Sequence, residues 1–453
     1  MRNSFILSLG LAALGVFAGL MAPGPVQGVS HLEIPASDVG LPGAGPLRRY
    51  DWFKDLWKSR RAAWAHQAER DRGAVVFLGD SITQGWGDQM GGIFPGMKVA
   101  NRGISGDTTR GVLLRLQDDV LSLAPRAIVL LIGTNDLEEK ATPETIVGNV
   151  QLILQAITQH NPSLPVLVCQ VFPSSAEKSR PADQIKKLNQ LYAAAIKGQA
   201  RFQMVETWPL FANGQGDAKV EEFPDLLHPN AAGYRKWGQA LIPLLSTLGL
   251  LETTVDSFVP EPGYESLFNG KDLTGWGYRT TSAGDRKARE GWQKSDPNAP
   301  PWPLVDNPVA FTGMQASADG RFQAIGGRLV VTAPAEGRRI QQLYTTRDFS
   351  KNFILKLEFR ASANADSGVF LRGNQLQCRD YPLAGPYKQL KQFRALDWNE
   401  MVVAVTNGVA YATCNGEVLE AAMKLPPTGP IGVEGDKGQL EYRRIQIREL
   451  DNP

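Results

Sequence analysis

The sequence is poor in cysteine and histidine, and these shortages argue against several kinds of site. Its 453 residues include three cysteines and four histidines. Cys169, Cys378 and Cys414 form no CxxC pair and no metal-ligand spacing, so neither a zinc site nor a disulfide framework is indicated. Cys169 lies in an apolar run typical of a buried strand, whereas Cys378 and Cys414 could pair in an oxidising compartment.

An excess of charge of one sign is also missing. The chain has 48 Lys and Arg against 46 Asp and Glu, a formal net charge of +2. No long basic run and no aromatic-basic stripe occurs, which argues against nucleic acid as a partner. The length indicates two domains, each large enough to bury a core of its own.

One long apolar run occurs, at the start of the chain. A single arginine precedes the stretch from Phe5 to Met21, and a Pro/Gly segment with small residues near Gly28 follows it. This layout is typical of a secretory signal peptide over residues 1–28, which predicts a secreted or periplasmic protein of a bacterial cell envelope. An uncleaved anchor is the alternative, because about 17 apolar residues are the lower limit of a membrane span. We expect removal, and therefore no stable membrane insertion.

Residues 46–250 alternate short apolar runs with amphipathic stretches. The runs AVVFLG, MKVAN, AIVLLIG, PVLVCQVF and FQMVET read as buried strands. Their alternation with helical segments predicts a three-layer α/β domain, a parallel sheet with helices on both faces. Ahead of the first strand, an amphipathic helix is expected to place Trp52, Trp57 and Trp64 on its packed side.

The sequence pattern changes after residues 251–263, a proline-containing stretch that we interpret as a linker. Residues 264–450 carry short β-rich segments separated by Gly, Asn and Pro. The segments TNGVA and CNGEV contain the Asn-Gly signal of two-residue hairpins. This half of the chain therefore predicts an all-β jelly-roll sandwich of antiparallel strands.

Ser81 lies in VVFLGDSITQGWG, where a predicted strand gives way to a helix. A serine at this point is either a helix cap or a nucleophile, and its partners must decide between the two. His228 follows the last predicted strand of the first domain and has Asp225 three residues upstream. Such a D-x-x-H loop lets the carboxylate orient one imidazole nitrogen while the other nitrogen faces the serine.

Two other loops follow apolar strands. VANRGISGDTT supplies Gly103, whose missing side chain lets a backbone N–H approach a substrate oxygen, and LLIGTNDL supplies Asn135, whose amide can donate to the same oxygen. With the backbone N–H of Ser81 they predict a three-donor oxyanion hole. Each residue alone is also what an ordinary turn contains, so the prediction depends on the set.

The blocks GDSIT, NRGISGDTT, GTND and DLLHPN, in this order, resemble the SGNH (GDSL-type) hydrolase family, and the middle blocks look most like its platelet-activating-factor acetylhydrolase-type branch. The letters of the family name map to Ser81, Gly103, Asn135 and His228, and Asp225 completes the triad. The resemblance implies acyl transfer through a serine ester, with no metal and no cofactor. The absence of G-x-S-x-G argues against an ordinary α/β-hydrolase elbow.

The segments YESLFNGKDLTGWGYR, LKLEFRASANADSGVFLRG and LEYRRIQIREL resemble the 3-keto-disaccharide hydrolase domain family, a concanavalin-like jelly roll that acts on or binds sugars. Two positions depart from the family pattern. Gln375 stands where an acidic residue is usual, and Gly435-Asp436-Lys437 stands where a DHG-like turn is frequent. No histidine follows position 228, so this domain cannot use imidazole chemistry.

Charged and aromatic residues of the second half are candidates for a sugar site. Four could hydrogen-bond a sugar and two could stack on it, although salt bridges, solvent-facing strand positions or core packing would explain each equally well. They are Glu358, Arg360, Asp366, Arg372, Trp276 and Trp398.

These observations predict a secreted or periplasmic serine esterase that removes acetyl or other short acyl groups from carbohydrate, its partner being an acylated sugar held by the C-terminal domain. Two alternatives stay open. The C-terminal domain could itself cleave 3-keto glycosides, which would make the protein bifunctional. The first domain could act on lipid or phospholipid esters, although the sequence offers no obvious large apolar lid for such a substrate.

Overall fold

The structure is a computed structural model that describes residues 32–252 and 256–450. The predicted signal peptide, residues 1–28, lies outside the described residues. Within the described ranges, no helix combines the length and the apolar composition that a membrane crossing requires.

The first unit is built on five parallel strands in the order β2-β1-β3-β4-β5, called sheet 1 here. Its elements, in chain order, are α1 (Asp51–Asp71), β1 (Val75–Gly79), α2 (Ser81–Gly85), β2 (Val99–Gly103), α3 (Thr109–Asp119), β3 (Ala127–Leu131), α4 (Thr134–Glu138), α5 (Pro143–His160), β4 (Val166–Cys169), α6 (Ala182–Ile196), β5 (Phe202–Val205), α7 (Trp208–Phe211) and α8 (Ala231–Thr247).

Both faces of sheet 1 are covered by helices. Val76 and Leu78 of β1 share a hydrophobic cluster with residues of α3, α5 and α6, whereas Val75 and Phe77 point the other way and share one with Trp237 of α8. Alternate residues of a strand face opposite sides of its sheet, so β1 needs apolar residues at successive positions. The predicted three-layer α/β architecture is confirmed.

Helix α1 packs beside sheet 1, but the prediction for its tryptophans is wrong at one position. Trp57 and Trp64 are 1% and 5% exposed, whereas Trp52 is 53% exposed. Trp57 and Trp64 are seven residues apart, which is about two helical turns, so they lie on the same face of α1. Trp52 and Trp57 are five residues apart, so their side chains leave the helix about 140° from each other. Trp52 therefore stands at the surface.

The second unit consists of two antiparallel sheets. Sheet 2 has the order β17-β16-β15-β12-β19-β10-β9, with β6 paired to β19, and sheet 3 has the order β14-β13-β18-β11-β7-β8. The elements are β6 (Glu265–Ser266), β7 (Trp276–Tyr278), α9 (Ala283–Ser295), β8 (Val309–Ala310), β9 (Phe322–Ile325), β10 (Arg328–Val331), β11 (Arg338–Thr345), β12 (Asn352–Ala361), β13 (Gly368–Leu371), β14 (Asn374–Gln377), α10 (Tyr381–Ala384), β15 (Asn399–Thr406), β16 (Val409–Cys414), β17 (Glu417–Lys424), β18 (Ile431–Lys437) and β19 (Leu440–Leu450).

One apolar core fills the space between sheets 2 and 3. Phe353 and Leu355 of β12 belong to the same cluster as Val369 of β13 and Val433 of β18. Inward residues alternate with less buried ones along β12, as expected of a strand in a sandwich. The prediction of an all-β antiparallel unit is confirmed.

Three residues singled out in the sequence belong to this core. Cys378 and Cys414 are buried and free, so they form no disulfide. Trp276 is fully buried and donates its indole N–H to the carbonyl of Leu267 at 2.7 Å. Trp276 is therefore a packing residue and not a surface for sugar.

The two units contact each other along α8 and at the end of β5. Arg328 of β10 donates to Ser246 Oγ at 2.8 Å, and Gln439 donates to the hydroxyl of Thr247 at 2.9 Å. Lys437, the last residue of β18, forms an ion pair of 3.1 Å with Glu206, which directly follows β5. The end of β18 thus lies at the carboxyl end of sheet 1.

Candidate active site

Ser81 is the first residue of α2, immediately after β1. The helix is capped by Asp80, whose carboxylate accepts the backbone N–H of Ile82 at 2.9 Å. A favoured capping residue therefore already occupies the position before Ser81. The hydroxyl of Ser81 is left for another partner.

That partner is His228. His228 Nε2 lies 2.9 Å from Ser81 Oγ, and His228 Nδ1 lies 2.7 Å from Asp225 Oδ2. Because an ionised carboxylate can only accept, the Nδ1–H donates to Asp225, and Nε2 is free to accept the Ser81 proton. The loop that holds Asp225 and His228 leads into α8, whose first residue is Ala231.

Asp225 is held in its ionised form. Partial burial opposes ionisation, but the backbone and side-chain hydrogen bonds from His228 and the backbone N–H of Leu227 outweigh it and lower the pKa of Asp225 to about 2. A carboxylate with this pKa orients the imidazole across the neutral pH range. It also stabilises an imidazolium once the imidazole takes a proton.

Asn135 is the second residue of α4 and is 3% exposed. Its side-chain amide donates to the carbonyl of Asp107 at 2.9 Å, and its Oδ1 accepts from Arg180 at 3.1 Å. An amide carries two hydrogens, so one N–H remains for a ligand. The contact with Arg180 fixes which end of the amide carries the nitrogen.

Gly103 does not have the role that the sequence predicts. Its backbone N–H donates to the side chain of Asn101 at 2.9 Å, so this donor is already occupied. Gly106, three residues on, has φ +87°, a conformation that favours glycine, and among the described residues its N–H has no acceptor. Gly106 precedes Asp107, whose carbonyl holds the Asn135 amide, so the donor beside Asn135 is Gly106.

Three carboxyl groups lie buried beneath the loops that carry Ser81, Gly106 and Asn135. Burial raises the pKa of Asp80 and of Asp136 to about 7. Burial also raises the pKa of Asp107 to about 6, although the ion pair with Arg115 at 2.8 Å opposes the shift. Asp136 accepts from the backbone and hydroxyl of Thr109. These contacts tie the β2–α3 and β3–α4 loops to each other.

The candidate sugar residues of the second unit are not brought together into one site. Glu358 forms an ion pair of 2.6 Å with Arg443, and Arg360 pairs with the buried Glu441. The ring of Trp398 lies under Arg443 at 4.0 Å and under Arg360 at 4.9 Å. These three candidates on sheet 2 are engaged in a structural ion-pair network.

Arg372 and Asp366 lie elsewhere. Arg372 is 5% exposed and donates to the carbonyls of Lys351 and Pro426, which is a structural role. Asp366 is paired with Arg379 at 2.8 Å beside sheet 3. Of the six candidates in the second unit, Asp366 alone lies next to a different polar cluster, whose residues are far apart in the sequence.

This polar cluster occupies sheet 3, on the face opposite the core. Glu434 of β18 accepts hydrogen bonds from Gln342 at 3.0 Å and Gln375 at 2.5 Å, and Asp436 pairs with Arg338 at 2.7 Å. Burial, with the nearby charge of Asp436, raises the pKa of Glu434 to about 7. Gln375 and Asp436 lie at the two positions where the chain departs from the family pattern. In the segment IGVEGDK, alternate residues of the strand point to the same face of the sheet, and this pattern could have placed Glu434 on the face of Asp436.

A serine, a histidine and an aspartate in this geometry, on a three-layer α/β fold, are the arrangement of serine hydrolases. Comparison with known proteins gives the family. Residues 77–236 match the model of the GDSL-like lipase/acylhydrolase family, and residues 263–448 match that of the 3-keto-alpha-glucoside-1,2-lyase-like domain. The chain belongs to the GDSL-like lipase/acylhydrolase family and is a carboxylic ester hydrolase.

Three relatives illustrate the likeness. Platelet-activating factor acetylhydrolase IB subunit alpha2 of Homo sapiens is 31% identical over 208 residues, 44% of this chain and 87% of that protein. Subunit alpha1 of Bos taurus is 28% identical over 199 residues, 42% of this chain and 83% of that protein. The crystal structure of a GDSL-like lipase from Bacteroides thetaiotaomicron is 24% identical, covers 41% of this chain and 96% of that chain, and has a TM-score of 0.36.

Proposed function

We propose that Ser81 is the nucleophile of a two-step acyl transfer. His228 Nε2 takes the hydroxyl proton while Ser81 Oγ attacks the ester carbonyl, and His228 then returns the proton to the departing alcohol. Water attacks the acyl-enzyme by the same proton route and releases the acid. Asp225 keeps the imidazole oriented and stabilises its charged form throughout.

The oxyanion would be held by the backbone N–H groups of Ser81 and Gly106 and by the free amide N–H of Asn135. Two of these donors lie close together, because Asn135 is bound to the carbonyl of Asp107, the residue after Gly106. Donors fixed before the reaction stabilise the developing charge without a cost of reorganisation.

Arg180 is the residue that positions Asn135. Its guanidinium is 2% exposed and donates to the carbonyl and hydroxyl of Thr134, at 3.1 and 3.0 Å, as well as to Asn135 Oδ1. It is also paired with Glu138 at 2.8 Å, so its own position is fixed. A planar fork with this many contacts keeps the amide from flipping.

We propose that the substrate is an acylated carbohydrate that contacts both units. The observation that supports this most strongly is the ion pair of Lys437 with Glu206, which puts the end of β18 at the same edge of sheet 1 as Ser81. Three strand spacings separate β1 from β5, which is about 14 Å. Asp436, next to Lys437, belongs to the polar cluster of sheet 3.

The chemistry of that cluster favours sugar over lipid. Gln342, Gln375, Glu434 and Asp436 offer amide donors and carboxylate acceptors, the groups that hydrogen-bond to sugar hydroxyls. A chain of several sugar units could occupy the cluster while its ester reaches Ser81. Binding at a second place raises the effective concentration of the ester at the first.

The test compares three esters on the full chain. Acetate release is measured from acetylated xylan, from 4-nitrophenyl acetate and from a phosphatidylcholine with short acyl chains. We expect the largest kcat/KM for acetylated xylan, and we expect Gln342→Ala to raise KM for it. The exposed Gln389 gives the matched control, since Gln389→Ala removes an amide outside the cluster.

Two results would contradict the proposal. A larger kcat/KM for the phosphatidylcholine would assign the esterase to lipid. The protein would be bifunctional if it released product from a 3-keto glycoside and if this activity were abolished by Glu434→Gln and kept by Ser81→Ala. Glu434 would then act as a general acid, a task that a pKa of about 7 suits.

A further inference from the structure

Two aromatic rings stand exposed at the start of α1. Tyr50 and Trp52 are 52% and 53% exposed, and their rings are nearly parallel, with centroids 6.3 Å apart and planes 11° apart. Large aromatic side chains are usually well buried, and Trp57 and Trp64 of the same helix are. An adjacent exposed pair of this kind is therefore a candidate binding surface.

The pair lies against the loops that carry the oxyanion donors. A Cβ atom at Gly106 would come within 2.6 Å of Trp52 Cη2, so the indole rests on the Gly106 backbone. On the other side, the hydroxyl of Tyr50 donates to Glu139 at 3.4 Å, and the backbone N–H of Glu139 donates to the carbonyl of Asn135. One ring thus touches the Gly106 loop, and the other touches the end of the helix that carries Asn135.

Charged groups border the two rings. Arg48 pairs with both Glu138 and Glu139, and its Nη1 would lie 3.0 Å from a Cβ at Gly106, next to the indole. Flat aromatic faces bordered by carboxylates and a guanidinium suit a sugar, whose C–H face can pack on a ring while its hydroxyls hydrogen-bond at the edge. A lipid acyl chain would gain nothing from that border.

We propose that Tyr50 and Trp52 form a sugar-binding platform, which holds the sugar ring that carries the ester, or its neighbour, while Ser81 attacks. This inference rests on the proposed carbohydrate esterase function. The platform would select for pyranose rings that present a C–H face to the aromatic rings, and would act mainly through KM.

The experiment measures kcat/KM of the full chain on acetylated xylotriose and on 4-nitrophenyl acetate. The quantity compared between variants is the value for acetylated xylotriose divided by the value for 4-nitrophenyl acetate, called the ratio here. We expect Trp52→Ala to lower the ratio about five- to tenfold, the factor that one aromatic stacking contact gives. Trp52→Phe keeps a flat ring and should recover most of it. Tyr411→Ala removes an exposed tyrosine of the second unit, 44% exposed, and should leave the ratio unchanged.

Each outcome is decisive. A ratio that Trp52→Ala does not change, or equal losses on both esters, would overturn the platform while the esterase assignment stands, provided the wild type cleaves acetylated xylotriose. A different result would remove the proposed function: the wild type cleaves 4-nitrophenyl acetate but not acetylated xylotriose, and the inactive variant Ser81→Ala does not bind acetylated xylotriose in calorimetry. In that case the platform fails together with the proposed function. A loss confined to a short-chain phosphatidylcholine would show that the rings contact lipid. Melting temperatures of all variants identify any that are misfolded.

Discussion

Removal of the Arg180 guanidinium tests whether Asn135 acts only while its amide is held. We expect Asn135→Ala, which deletes a proposed oxyanion donor, to lower kcat about 10²-fold or more. Arg180→Ala leaves Asn135 in place but deletes the 3.1 Å hydrogen bond to its Oδ1. A hydrogen bond from a charged group contributes about 1.5–3 kcal/mol, so kcat should fall between about 13- and 160-fold with little change in KM.

The double variant decides whether Arg180 works through Asn135. If it does, Arg180→Ala in the Asn135→Ala background costs no more than about threefold further in kcat on 4-nitrophenyl acetate. Arg180→Lys keeps the charge without the fork and should recover only part of the rate. Arg201→Ala removes an arginine that binds Pro162 at the surface and should leave kcat unchanged. Fully multiplicative losses in the double variant would refute the reasoning.

Three further predictions concern the triad and the polar cluster. Ser81→Ala and His228→Ala should each abolish nearly all ester hydrolysis, and the double variant should lose little more, whereas multiplicative losses would count against a joint role. Because the pKa of Asp225 is lowered to about 2, its carboxylate stays ionised at working pH, and the acid limb of log kcat/KM against pH should have a slope of one; a slope of two above pH 4 would contradict this. Burial raises the pKa of Glu434 to about 7, so the folded state favours the protonated carboxyl. The stability that this provides is fully present below the ordinary pKa of 4.5 and is lost as pH rises through 7. Glu434→Gln does not titrate there, so its melting temperature should fall less than that of the wild type between pH 5 and pH 8; parallel curves would show that Glu434 does not titrate in this range.

The placement of Ser81, Asn135 and His228 could be predicted because each follows a strand of one parallel sheet. The carboxyl ends of parallel strands meet at one edge, so residues far apart in the chain come together there. Apolar runs with helical stretches between them were enough to identify the strands. Whether Ser81 was a cap could not be read from the sequence, since Asp80 and Ser81 are both good capping residues and the backbone decides between them.

The two predictions of the first unit that were wrong concern local geometry. Gly103 ends β2 and Gly106 lies in the loop that follows, and a missing side chain alone does not tell which backbone N–H is free. The side chain of Asn101 takes the first of these donors. Trp52 was assigned to the packed side of α1 because apolar residues usually face the core, but it stands at the helix start beside the active-site loops.

In the second unit the fold could be predicted from the sequence, but the polar cluster of sheet 3 could not. Glu358 and Arg360 were chosen for their charge, yet each has an opposite charge across the neighbouring strand β19. Strand order is needed to see that Glu434 lies between Gln342 and Gln375, because these residues come from β18, β11 and β14. Long-range pairing of this kind leaves no local signal in the sequence.

The most direct test of the account is to find the acyl group on the enzyme. Turnover of acetylated xylotriose is quenched with acid, and peptides of the full chain are analysed by mass spectrometry. We expect one acetyl group on the peptide that contains Ser81, present in the wild type and absent from Ser81→Ala. An adduct on another residue, or hydrolysis that Ser81→Ala leaves unchanged, would contradict this.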